Sequence, residues 1–228
     1  MIPVATMQLW QDYLAAERVR VRQQSLVALD RFLGALQQLS PDVWQPWARE
    51  LAMRVVDEHE DIPVRLPLFR SVIFPALHAG LEKSIPGSAR WLAGFAQLLY
   101  KSPACSEQLP EIQRSEYGLL LRATQDDSTD ARAKKRLLTI MRSRFDYVLH
   151  ELPSGVLYGY DGATIKQCDE LMEQLSDYER LARELGSEDA DTELIAEARF
   201  HIPAYRQYLS ERGRYTSYEQ YLSNREHA

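Results

Sequence analysis

Cysteine is nearly absent. The chain of 228 residues has two, Cys105 and Cys168, too few for a disulfide framework and in no zinc-binding spacing. A reducing cytosol is the expected compartment. Glycine (10) and proline (11) are also sparse, which excludes collagen-like and low-complexity chains. No uncharged apolar run reaches the ~18 residues of a membrane-spanning helix. Met1 to Leu14 show no basic start followed by an apolar run, so no secretory leader is expected. Strand-like alternation never exceeds four residues. There is no Gly-x-Ser-x-Gly elbow, phosphate loop or dinucleotide fingerprint. A basic excess is missing too: the net charge of -6 argues against a general nucleic-acid binder.

What is present is helical periodicity. The chain is 45% hydrophobic and 26% charged, and its apolar residues recur at three- and four-residue spacings. The expected fold is all-α: a single domain over 1–228 of eight or nine helices, paired antiparallel into a bundle or short helical-repeat stack, with a subdivision into 1–101 and 111–228. The pattern predicts a long first helix over about 6–38, then helices near 47–58, 66–83 (kinked at Pro75), 88–100, 111–125, 131–151, 164–185 and 191–212, with a short one at 217–223. The Asp-rich turn between Tyr117 and Leu138 has a tetratricopeptide-like rhythm. It lacks that repeat's aromatic and glycine positions and its 34-residue recurrence, so no family is inferred.

Charge and aromatics are unevenly distributed. Residues 1–163 hold 19 basic and 19 acidic residues, and residues 164–228 hold 8 and 14. The whole acidic excess therefore lies in the last quarter, beside Tyr205, Tyr208, Tyr215, Tyr218 and Tyr221. An acidic rim next to aromatic anchors suits a basic protein partner, with charge raising the association rate and the rings supplying burial. Glu173 and Glu184 are the rim residues chosen here. The expected function is a non-catalytic, cytosolic protein-binding module without cofactors, such as an inhibitor or immunity-type protein. The basic helix around 130–144 is read as complementing the acidic helix at 164–185 rather than as contacting RNA.

The competing class is a helical metalloenzyme. Glu193, Glu197 and His201 share i, i+4, i+8 spacing, and carboxylate with imidazole suits iron, manganese or zinc. At 100° per residue, however, both glutamates point away from the apolar stripe through Ile195, Ala198 and Ile202, with His201 at its edge. A second dense set of ligand types is Asp57-Glu58-His59-Glu60-Asp61, at an expected helix C-terminus where acids oppose the macrodipole. Arg70 falls inside the apolar arc of the third helix, so a buried charge with a carboxylate or anion partner is expected. The long loop over 152–163 offers a pocket from His150, Tyr158, Tyr160 and Asp161. Cys168 reads as a core residue, and Cys105, in an expected loop, as the more reactive thiol.

Overall fold

A computed structural model describes residues 1–152, 164–187, 191–211 and 213–226. All regular structure among them is helical. The chain forms two compact units, Met1–Ala133 and Lys134–Ala228. Their division falls inside one helix, and the expected 101/111 divide lies within the first unit. Among the described residues the helices are more numerous than the eight or nine expected, and those of the first unit are mostly shorter.

The first correction is at the N-terminus. The expected helix over 6–38 is a hairpin, α1 (Val4–Val19) and α2 (Arg22–Gln37). The chain reverses at Arg20, a left-handed cap (φ 60°) whose N–H donates to Glu17 O at 3.0 Å. A straight helix of that length would span about 50 Å and leave both apolar stripes uncovered. Folding back brings Trp10 to Phe32, with ring centroids 5.2 Å apart, and both meet Trp47 of α3 (Pro41–Asp57).

The buried element of the first unit comprises α4 (Leu66–Leu68), a π-helical turn (Phe69–Ile73) and α5 (Phe74–Glu82). Phe69, Ile73 and Leu77 are fully buried. Pro75 has no N–H to donate one turn back, and the preceding turn is widened, with Phe74 N–H donating to Phe69 O. This changes the phase used to place Arg70. Arg70 is exposed, not buried. Its Nε donates to Ser102 Oγ at 3.0 Å and its Nη2 to Lys101 O at 2.8 Å, so its partners are a hydroxyl and a carbonyl rather than a carboxylate. Arg70→Ala is therefore expected to cost only about 1 kcal/mol, the loss of solvent-accessible hydrogen bonds. Denaturant melts beside Arg183→Ala test this, with closely similar midpoints expected.

The unit continues through α6 (Ser88–Gly94), α7 (Ala96–Tyr100) and α8 (Pro103–Ser106), a 3-10 turn (Glu111–Arg114) and α9 (Glu116–Asp126). Ser115 caps α9, its Oγ accepting from Gly118 N–H at 3.1 Å. Gly118 must lack a side chain: a Cβ there would lie 1.6 Å from Ile112 O.

The remaining helices follow the sequence pattern closely. α10 (Ala131–Glu151) is capped by Asp130, which accepts from Ala133 N–H at 2.9 Å. α11 (Ile165–Glu184) is capped by Thr164, and Gly186 (φ 64°) follows its end in the left-handed conformation. α12 (Thr192–Ser210) packs on α11. Arg199 pairs with Glu179 and Arg206 with Asp169, so the two helices run antiparallel. α13 (Tyr218–Glu226) closes the second unit.

Candidate functional site

The structure places the C-terminal tyrosines in the core. Tyr205, Tyr208, Tyr218 and Tyr221 are 3%, 8%, 1% and 6% exposed, and Tyr215 is half-buried. Their rings pack on one another: Tyr218 lies 5.0 Å from Tyr205, 5.7 Å from Tyr208 and 6.1 Å from Tyr221, and Tyr215 meets Tyr221 edge-on at 5.3 Å. Tyr205 and Tyr208 of α12 are thereby joined to Tyr218 and Tyr221 of α13. The sequence showed their clustering, but not that they would cover each other.

The acidic residues divide into paired and unpaired groups. Glu184 is bound by Lys134 of α10 at 2.6 Å and by Arg180 at 3.2 Å, which is part of the expected complementarity with the basic helix. Asp169 and Glu179 instead meet arginines of α12. Glu173 is exposed and carries no ion pair among the described residues. The same holds for Glu193 and Glu197. Three residues beyond Glu197 on α12 stands Phe200, 49% exposed. Positions 193, 197 and 200 follow i, i+4, i+7 spacing, one helix face. The sequence reading passed over Phe200. Its signal was an aromatic residue off the apolar stripe, two positions from Ala198 and Ile202.

His201 does not join those glutamates in a ligand cluster. It is half-buried, and its Nδ1 lies 3.1 Å from the Tyr218 hydroxyl. Among the described residues no three His, Cys, Asp or Glu side chains converge as metal ligands. Burial lowers the His201 pKa from its ordinary value, against an upward pull from Glu197. The unfolded chain therefore takes up this proton first as pH falls. The stability that neutral His201 contributes is complete above about pH 6.5 and is lost as pH drops through its lower folded value. His201→Gln should flatten the fall in stability below about pH 6.5, measured by denaturant melts at each pH. An unchanged slope would assign the fall to other groups.

Two members of the run from Asp57 to Asp61, Asp57 and Glu60, are bound by arginines. Glu60 accepts from Arg54 Nε at 2.8 Å. Asp57, at the end of α3, pairs with Arg90 of α6, accepts from Trp91 Nε1 at 2.7 Å and lies 3.4 Å from Arg132. Arg90 also reaches Asp130 at 2.7 Å. The side chains of Asp57, Arg90 and Asp130 are only 5%, 12% and 8% exposed. A two-pronged guanidinium thus ties the end of α3 to the cap of α10, and offsets the charge that opposes the α3 dipole.

His150 is exposed at the end of α10. Tyr158, Tyr160 and Asp161 lie outside the described residues. Cys105 corrects the expectation of a reactive loop thiol: it sits in α8, 6% exposed, and burial raises its pKa. Cys168 is fully buried in α11, its pKa pushed up to about 11 by burial. Neither is poised to ionise near neutral pH. Among the described residues, no helix is long and apolar enough to cross a membrane. The chain matches no protein-family model, no curated protein and no solved structure.

Proposed function

We propose that the chain is a non-catalytic, cytosolic protein-binding module, of the inhibitor or immunity type, built on antiparallel helical pairs and directed at a basic partner protein rather than at nucleic acid. The observation that carries this reading is the solvent face of α12. Half-exposed Phe200 stands beside Glu193 and Glu197, which carry no ion pair among the described residues. Phe200 is the aromatic anchor of this reading, since four of the five tyrosines are buried. An exposed aromatic ring supplies burial at little conformational cost, and the flanking charges steer a basic surface towards it. The buried cysteines, neither of them in a disulfide, suit a reducing compartment.

Affinity capture from the host lysate, followed by kinetics on the purified pair, tests the reading. A basic partner is expected. Phe200→Ala should speed its dissociation by roughly tenfold or more. Glu193→Lys with Glu197→Lys should slow association, more at low salt than at high salt. Glu184 is the poorer choice for such a test, because reversing it also breaks its bond to Lys134. Binding untouched by all three substitutions in a folded protein overturns the assignment to this face.

A further inference from the structure

The cavity of about 730 Å³ in the first unit lies between the C-terminal half of α1, Arg54 of α3 and the segment 60–63. Its walls are braced. The Tyr13 hydroxyl donates to Pro63 O at 2.7 Å. Arg65 grips Glu17 through two hydrogen bonds, and Arg54 grips Glu60 in the same way. Two of the acids on the wall are thereby neutralised. Three charges facing the cavity remain without an ion pair among the described residues: Arg18, Arg20 and Asp61. Trp10, Leu14 and Ile62 add apolar surface.

We propose that this cleft binds a peptide segment bearing one carboxylate. Arg18 and Arg20 form a fork for the carboxylate, Asp61 accepts a peptide N–H, and Leu14 with Ile62 receives a neighbouring apolar side chain. Charge selects this ligand over a phosphate. The unpaired groups sum to one positive charge, which a monoanion balances and a phosphate dianion exceeds. The size of the cavity is within the range of ligand sites and exceeds what a single amino acid fills. Offsetting the negative end of the α1 dipole explains why arginines are favoured at the end of that helix. It does not explain why both line a cavity that an acid without an ion pair also lines. The site shares no residue with the α12 face, and either can fail without the other.

The probe is the capped tripeptide acetyl-Leu-Glu-Leu-amide, titrated by calorimetry, with the Trp10 indole N–H followed by NMR. Saturable binding that weakens with salt is expected, with a shift of the Trp10 resonance. Replacing the probe's Glu by Gln should weaken it roughly tenfold or more, and so should Arg18→Gln with Arg20→Asn in the protein. Asn tolerates the left-handed backbone at 20, and an unchanged melting temperature shows that the variant is folded. Free glutamate and inorganic phosphate should each bind at least tenfold more weakly than the tripeptide. The proposal is overturned if the tripeptide does not bind at millimolar concentration, if the arginine variant binds it equally, or if glutamate or phosphate matches it.

Discussion

Arg90→Ala is expected to cost about 3 kcal/mol of folding stability, because it leaves two nearly buried carboxylates without their shared cation. Arg90 donates through Nε to Asp130 at 2.7 Å and through Nη1 to Asp57, and its guanidinium carbon lies 5.9 Å from the Trp91 ring centroid. Asp57 keeps Trp91 and the more exposed Arg132, and Asp130 keeps its role as a cap. These residual contacts hold the expected cost at the lower end of the ~3–5 kcal/mol seen when one member of a buried pair is removed. Arg90→Lys should recover little, since one ammonium cannot reproduce the fork that spans both acids. Removing the acids as well, in Arg90→Met with Asp57→Asn and Asp130→Asn, should restore part of the loss. Arg180→Ala is the comparison: its pairs with Asp177 and Glu184 are exposed and are expected to contribute under about 1 kcal/mol. Denaturant melts of the four variants decide the matter. An Arg90→Ala midpoint equal to that of Arg180→Ala would show that the network contributes no more than a surface pair.

That network also marks where sequence reading stops. Its members lie at 57, 90, 91, 130 and 132, and no local spacing unites them. Asp57 was noticed for the awkwardness of an acid at the end of a helix, and that awkwardness was real. Its remedy was a cation 33 residues away, which periodicity cannot find. Arg70 shows the opposite failure. The wheel that placed it inside the apolar arc assumes 100° per residue throughout. The π turn over Phe69–Ile73 advances less per residue, so the phase on the two sides of Pro75 is not shared. The proline was legible, and the widened turn that precedes it was not.

The long, regular helices α10 to α12 were read nearly end to end, because each carries a continuous three-four pattern and recognisable boundary residues: Asp130, Thr164 and Gly186. The first hairpin was not. Nothing between Val19 and Arg22 is a glycine or proline, and the reversal rests on Arg20 adopting φ 60°. The force behind it is tertiary, the meeting of Trp10, Phe32 and Trp47. At the candidate interface, composition shows the acidic quarter and its tyrosines, but not that four of those tyrosines are buried. Five tyrosines within 17 residues suggest a surface, yet the i, i+3 pairs Tyr205/Tyr208 on α12 and Tyr218/Tyr221 on the short α13 bury each other. In that acidic quarter Phe200 stays half-exposed, its ring edge-on to His201 at 4.9 Å.

Tyr218→Ala should accordingly destabilise the second unit by about 3–5 kcal/mol, the range for deleting a buried aromatic ring. Tyr218 is 1% exposed and touches three other tyrosine rings. Its hydroxyl lies 3.1 Å from His201 Nδ1 and 3.3 Å from His201 O, so the polar end is satisfied at the same point where the ring is enclosed. Tyr218→Phe separates the two contributions: it keeps the packing, gives up the hydroxyl contacts and should cost about 1 kcal/mol. The pair of variants also discriminates between the two roles the tyrosines could serve. A ring kept for a partner would leave the isolated protein as stable after truncation as before. A ring kept for the fold makes Tyr218→Ala melt early, with loss of near-ultraviolet dichroism from the tyrosine cluster and faster proteolysis after residue 134. Tyr208→Ala, at 8% exposure, should follow in the same direction with a smaller loss. If the isolated Tyr218→Ala protein unfolds at the wild-type denaturant midpoint, the cluster is not what holds α13 on α12, and the tyrosines return as anchors for a partner.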